Sequence, residues 1–132
     1  MGFSRIRNPR LAAWVAAGVN RYNRLRISAQ RVLCRPHYVI VSDRKVVGWL
    51  GLEARGRRTY ELTHLSVLPQ YRRRGHAKTA VRRSLAMIRS VGGKQVYVRI
   101  RRNNLASMAL ARSCGMRRGQ ARGSVVTYWR SV

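Results

Sequence analysis

A chain of 132 residues is close to the commonest length of one domain, and an apolar fraction of 45% is enough for an ordinary hydrophobic core rather than a disordered chain. Its 29 Lys and Arg against 3 acidic residues leave a net charge of +26, which excludes a surface of mixed sign and predicts attraction to polyanions: nucleic acid, a ribosome or an anionic membrane. Cys34 and Cys114 are too few for a disulfide framework and have no metal-ligand spacing with His37, His64 or His76, and no apolar run is long enough to cross a bilayer or to form a secretory leader, so a cytoplasmic protein is expected.

Asn8-Pro9 offers a helix cap followed by a first-turn proline, and Leu11, Val15, Gly18, Val19 and Tyr22 then recur at helical spacing. This predicts a helix from about Pro9 to Arg26, whose other face carries Arg10, Arg21 and Arg24 and reads either as a solvated side or as a surface for an anionic membrane or nucleic acid. His37 to Ser42 reads as a strand, Asp43-Arg44 as a tight turn, and Lys45 to Ala54 as the second strand of a hairpin. A basic turn leads into a strand from Thr59 to Val67, which Leu68-Pro69 ends because proline cannot donate to a ladder.

From Ala77 the apolar period becomes that of a helix, with Ala77, Val81, Leu85 and Ile88 on one stripe, and Gly92-Gly93 stops it. Gln95 to Ile100 reads as a strand, and Asn103 or Asn104 caps a helix that Gly115 terminates. A loop rich in Gly and Arg then precedes a last strand from Val125 to Trp129. Strand, helix, strand, helix, strand after Thr59 implies a parallel crossover in a mixed sheet, an α/β (α+β) domain spanning residues 1–132.

The run from Leu65 to Ala80 passes from a strand through a basic loop into a helix, and its chemistry suits a phosphate. Gly75 lets the backbone approach a ligand, Ala77 does not obstruct it, and free N–H groups at the helix start point toward an anion. Arg72, Arg73, Arg74 and Lys78 add charge at the same place. Arg72-x-x-Gly75-x-Ala77, preceded by Val67-x-Pro69 and Tyr71, resembles the pyrophosphate-binding motif of the GCN5-related N-acetyltransferase (GNAT) family. Asn104-x-x-Ser107-Met108-x-Leu110 and Cys114-Gly115-Met116 resemble that family's later helix and its ending.

The resemblance implies a GNAT-like sheet whose fourth and fifth strands, Thr59 to Val67 and Gln95 to Ile100, splay to admit acetyl-CoA. Backbone groups of Leu65, Ser66 and Val67 would pair with the pantetheine arm. N–H groups of Arg73, Arg74, Gly75, His76, Ala77 and Lys78, with the Arg72 charge, would hold the diphosphate, and Asn104 and Ser107 would lie near the pantetheine or acetyl end.

Transfer of an acetyl group to an amine needs a base for the ammonium proton and a proton for the leaving thiolate. Glu61 stands at the strand position where histone-type members carry their base; pairing with an arginine is its other reading, while Glu53 and Asp43 read as structural. His64 is out of phase with Glu61 unless a bulge intervenes, and reads as a packing histidine. The tyrosine that donates the thiolate's proton in many relatives is Ala111 here, which leaves Cys114, Tyr97 or water.

The region before the first hairpin is shorter than the family's usual one, which implies an open acceptor site. With the charge, this favours a protein lysine or N-terminal amine in an acidic or nucleic-acid-associated target over a small-molecule amine. The alternative is a GNAT-fold module that binds nucleic acid without catalysis.

Overall fold

The computed structural model describes residues 2–132. Its elements are β1 (Gly2–Arg5), α1 (Pro9–Asn23), α2 (Ala29–Cys34), β2 (His37–Ser42), β3 (Lys45–Ala54), β4 (Thr59–Val67), α3 (His76–Ser90), β5 (Gln95–Arg101), α4 (Leu105–Ser113), β6 (Arg117–Arg122) and β7 (Val125–Ser131). They fall into two compact units. Residues up to Glu53 with His64–His76 make the first, and Ala54–Thr63 with Ala77–Val132 make the second. In hydrogen-bonded order the strands run β1-β2-β3-β4-β5-β7-β6.

In the first unit, α1 begins as expected. The Asn8 side chain accepts from the amides of Arg10 and Leu11 at 2.8 and 3.2 Å, and Pro9 takes the first turn. The helix stops at Asn23, short of the expected Arg26, because Arg24 turns left-handed at φ 54° and the Asn20 amide ties down Ile27 through two hydrogen bonds. Ala12, Val15, Ala16 and Val19 form its buried stripe and pack with Ile6, Val32, Val39 and Trp49. Gly18 belongs to this packing by its smallness: a Cβ there would collide with the Trp49 indole.

The expected hairpin is present, with Asp43 and Arg44 left-handed at φ 51° and 63° as a tight strand reversal needs. Strand β1, which no sequence pattern announces, adds to it antiparallel from Gly2↔Val41 to Arg5↔Tyr38. Helix α2 is likewise unannounced; Ser28 caps it at the Arg31 amide, and its six residues bury only Val32. The end of β4 lies so close to β3 that a Cβ on Gly48 would meet the Ser66 carbonyl.

The second unit holds the parallel crossover. The first residues of β4 pair parallel with β5 from Thr59↔Gln95 to Glu61↔Tyr97, β5 pairs antiparallel with β7 along its length, and β7 pairs antiparallel with β6. Helix α3 buries Ala80, Val81, Ser84, Leu85 and Ile88, and ends where Gly92 turns left-handed at φ 82°. Asn104 caps α4 through the Ser107 amide at 3.1 Å, and Gly115 at φ 80° closes it with the Met116 amide on the Ala111 carbonyl. The loop expected before the last strand is instead β6, Arg-Arg-Gly-Gln-Ala-Arg, exposed throughout. Its ladder to β7, not its own propensity, makes it a strand.

His37, fully buried in the first unit, is paired through both ring nitrogens. It donates Nδ1–H to the Arg35 carbonyl at 3.0 Å, since a carbonyl can only accept. Its Nε2 in the neutral ring therefore accepts from His64 Nδ1, also at 3.0 Å, and the rings stack 5.2 Å apart. The packing role expected of His64 is what these contacts describe. His64 also sits left-handed at φ 56° in mid-strand, so the alternation of β4 breaks there in the manner of a bulge. Glu53, buried, faces Arg31 at 3.6 Å.

Replacing Gly48 with alanine should lower stability by about 1–3 kcal/mol, because the new methyl meets main chain that cannot rotate away. A thermal midpoint equal to that of the wild type would contradict this packing. Burial, chiefly, pushes the His37 pKa below its ordinary 6.5. The unfolded chain therefore takes up a proton near pH 6.5 that the folded ring refuses, and this contribution to stability, full above pH 6.5, is lost as the pH falls through the folded value. Proton NMR of the imidazole resonances should show His37 titrating below 6.5, and a midpoint at or above it would refute the assignment.

Candidate active site

Strand β4 delivers Leu65, Ser66 and Val67 to a loop that is shaped by its own side chains. Ser66 Oγ donates to Asn23 Oδ1 at 3.2 Å, and Pro69–Tyr71 form a single 3-10 turn. Arg72 folds back so that its Nε donates to the Val67 carbonyl at 2.8 Å, with its guanidinium 5.9 Å from the Tyr22 ring. Arg72 thus braces the loop as well as charging it.

Arg73 and Gly75 are then both left-handed, at φ 64° and 80°, and the chain enters α3 at His76. A Cβ on Gly75 would meet nothing within 4 Å, so glycine is called for by the backbone turn and not by crowding. Arg73 and Arg74 are exposed, Lys78 is half-buried, and the first turn of α3 holds no acidic residue. Consecutive exposed cations followed by a left-handed glycine are the residue types that suit an anionic ligand. Asn104 and Ser107 sit together at the start of α4, where the cap uses the Asn104 oxygen and leaves its amide nitrogen outside that bond. Ala111 is buried on α4 and Cys114 is buried at its end.

Glu61 lies in the second unit at 3% exposure, on the part of β4 that pairs with β5. Its Oε1 accepts from Arg55 Nε at 3.0 Å and Nη2 at 2.7 Å, and its Oε2 accepts from Arg99 Nε at 2.8 Å. The Tyr97 hydroxyl stands 3.4 Å from Oε1. The ion-pair reading of Glu61 is therefore realised, with two arginines. A carboxylate offers about four lone-pair directions, and only one donor occupies Oε2, so that oxygen keeps a direction open to a further hydrogen-bond donor. Burial first, and the Glu61 charge second, push the Tyr97 pKa above its ordinary 10, which keeps its hydroxyl a proton donor.

Arg55 and Arg99 are ion-pair partners of Glu61 that sequence reasoning misses. The alternation Gln95, Tyr97, Arg99, Arg101 along β5 does place Arg99 on the Tyr97 face, but Arg55 reaches Glu61 only because a turn follows β3. The same face opens beside Tyr97 into a concavity of about 440 Å³, lined by Thr59, Gln95, Gln120, Thr127 and Trp129 among others. Among the described residues, no three His, Cys, Asp or Glu side chains are placed to hold a metal, and no helix is long and apolar enough to cross a membrane.

No curated protein matches the sequence significantly. Solved structures share the fold. A Bacillus subtilis acetyltransferase in complex with CoA superposes with a TM-score of 0.82 at 11% identity, over 98% of this chain and 97% of that one. The Escherichia coli ribosomal-protein-S18-alanine N-acetyltransferase gives 0.80 at 14% identity, over 98% and 92%. A chimera of the Vibrio cholerae spermidine N-acetyltransferase SpeG with hSSAT gives 0.81 at 12% identity, over 99% and 96%. The family model described as acetyltransferase (GNAT) family matches residues 7–116. With that match across most of its length, the chain belongs to the GNAT family of acetyl-CoA-dependent N-acetyltransferases, and acetyl-CoA is its co-substrate.

Proposed function

We propose that the chain transfers the acetyl group to a primary amine on a macromolecule, a protein lysine or N-terminal amine in an acidic or nucleic-acid-associated target. The observation that carries this reading is the setting of Glu61. It is the one acidic residue of its unit, it is buried, and two arginines neutralise it, so what that unit shows to a substrate is positive. Such a field repels a free polycationic amine and draws in an amine set among negative groups. Of the neighbours in fold, the ribosomal-protein alanine acetyltransferase fits this field better than the spermidine enzyme does.

In this reading Glu61 takes the ammonium proton at Oε2, and Tyr97, whose raised pKa keeps it protonated, replaces the absent tyrosine as donor to the departing thiolate. The Arg72–Lys78 segment holds the diphosphate through its amides and charges, and the backbone of Leu65–Val67 serves the pantetheine arm. Asn104 and Ser107 serve the acyl end. In this reading the chain works as one domain.

Glu61→Gln keeps the shape of the side chain and removes its basicity, so turnover should fall by about 10²–10⁴-fold while acetyl-CoA still binds in a calorimetric titration. Unchanged turnover would remove Glu61 from the mechanism. A second reading, a nucleic-acid-binding module that has lost transfer, is favoured by the buried Ala111 at the usual tyrosine position. That reading requires wild-type protein to bind acetyl-CoA or nucleic acid yet acetylate no amine.

A further inference from the structure

The side of the second unit's sheet that carries Glu61 and Tyr97 presents a face whose composition is unlike a solvated surface. Register fixes which side chains share it, because residues paired across strands point to the same side. One row runs Glu61, Tyr97, Trp129, Arg117, and the next but one runs Arg101, Val125, Arg122. Between them lie Arg99 and Thr127. The residues of opposite phase, Val96, Ile100, Val126 and Tyr128, are buried, so that side is the core and this one faces out.

Arg99, Arg101, Arg117 and Arg122 are exposed on this face, and Tyr97 and Trp129 are half-buried between them. The extra residue of β6 between Arg118 and Ala121 brings Gly119 under the Trp129 ring, where a Cβ would stand 3.3 Å from the indole. Glycine thus leaves room for the indole beside the strand, and Trp129 is among the residues that line the concavity. The only acid on the face is Glu61, already clasped by Arg55 and Arg99.

We infer that this face is a docking platform for single-stranded RNA. Arginines spaced across the sheet supply the phosphate contacts, and Trp129, which lines the concavity, supplies a ring on which an unpaired base stacks. Gln95, Gln120 and Thr127 line the concavity with neutral hydrogen-bonding groups suited to a ribose 2′-hydroxyl. An acidic peptide would satisfy the arginines but leave the aromatic ring without a partner, and a duplex has no exposed bases to stack. The platform borders Glu61, so an RNA-bound target would present its amines near the acid. The binding itself does not depend on acetyl transfer.

The test is fluorescence anisotropy of the full chain with a labelled single-stranded RNA of roughly 12 nucleotides, within the span such surfaces hold, over a range of salt. The double variant Arg101→Ala/Arg122→Ala should weaken binding and flatten the salt dependence by ~0.7 in log–log slope for each phosphate no longer neutralised. Trp129→Ala should weaken binding roughly tenfold with the slope unchanged, and Trp129→Phe should restore it, which separates stacking from a folding defect. Arg82→Ala/Arg83→Ala removes the same charge from exposed positions on α3 and should have little effect.

The inference is overturned if the α3 variant loses as much affinity as the sheet variant, since the charge would then act diffusely. It is equally overturned if Trp129→Phe binds as poorly as Trp129→Ala. Duplex RNA, single-stranded DNA or an acidic peptide of equal charge binding as tightly as the RNA would also refute it.

Discussion

In a chain with 29 basic residues and 3 acidic ones, where each carboxylate goes is the constraint on which the rest depends. Glu53 is buried facing Arg31, and Asp43 occupies a left-handed position in the β2–β3 turn. Glu61 alone lies in the second unit, held at both oxygens by guanidinium groups. A buried carboxylate without partners is costly, and removing a partner from such a pair is strongly destabilising, so Arg55 and Arg99 are part of what holds Glu61 in place. The same economy of acids leaves Asp43 as the one exposed acidic side chain among the described residues, against a majority of exposed arginines.

The elements that carry local chemistry are readable in the sequence. Asn8-Pro9, Asn104 and Gly115 act through hydrogen bonds made within a few residues, and each does what its residue type announces. The strand-to-helix passage around Gly75 is legible for the same reason: a left-handed glycine before a helix is a local event. The alternation of Gln95 to Arg101 separates an inner from an outer face without knowledge of any pairing.

The features that no local pattern declares depend on distant parts of the chain. β1 has four residues, too few for a periodicity, and is a strand because β2 offers it an edge. β6 lacks any apolar alternation because it is exposed throughout, and only its ladder to β7 defines it. The clasp on Glu61 joins residues 6 and 38 positions away, which no spacing rule connects. The ion pair still leaves Glu61 an open acceptor direction at Oε2, since the carboxylate is braced there by a single donor.

Charge as the selector of the acceptor is tested most directly by steady-state acetylation of three lysine peptides that differ only in flanking residues, acidic, neutral or basic, each at low and high salt. The acidic peptide should show the highest kcat/KM, through KM, and its advantage should shrink as salt screens the field. Equal rates for the three peptides, or a preference for the basic one, would contradict the account.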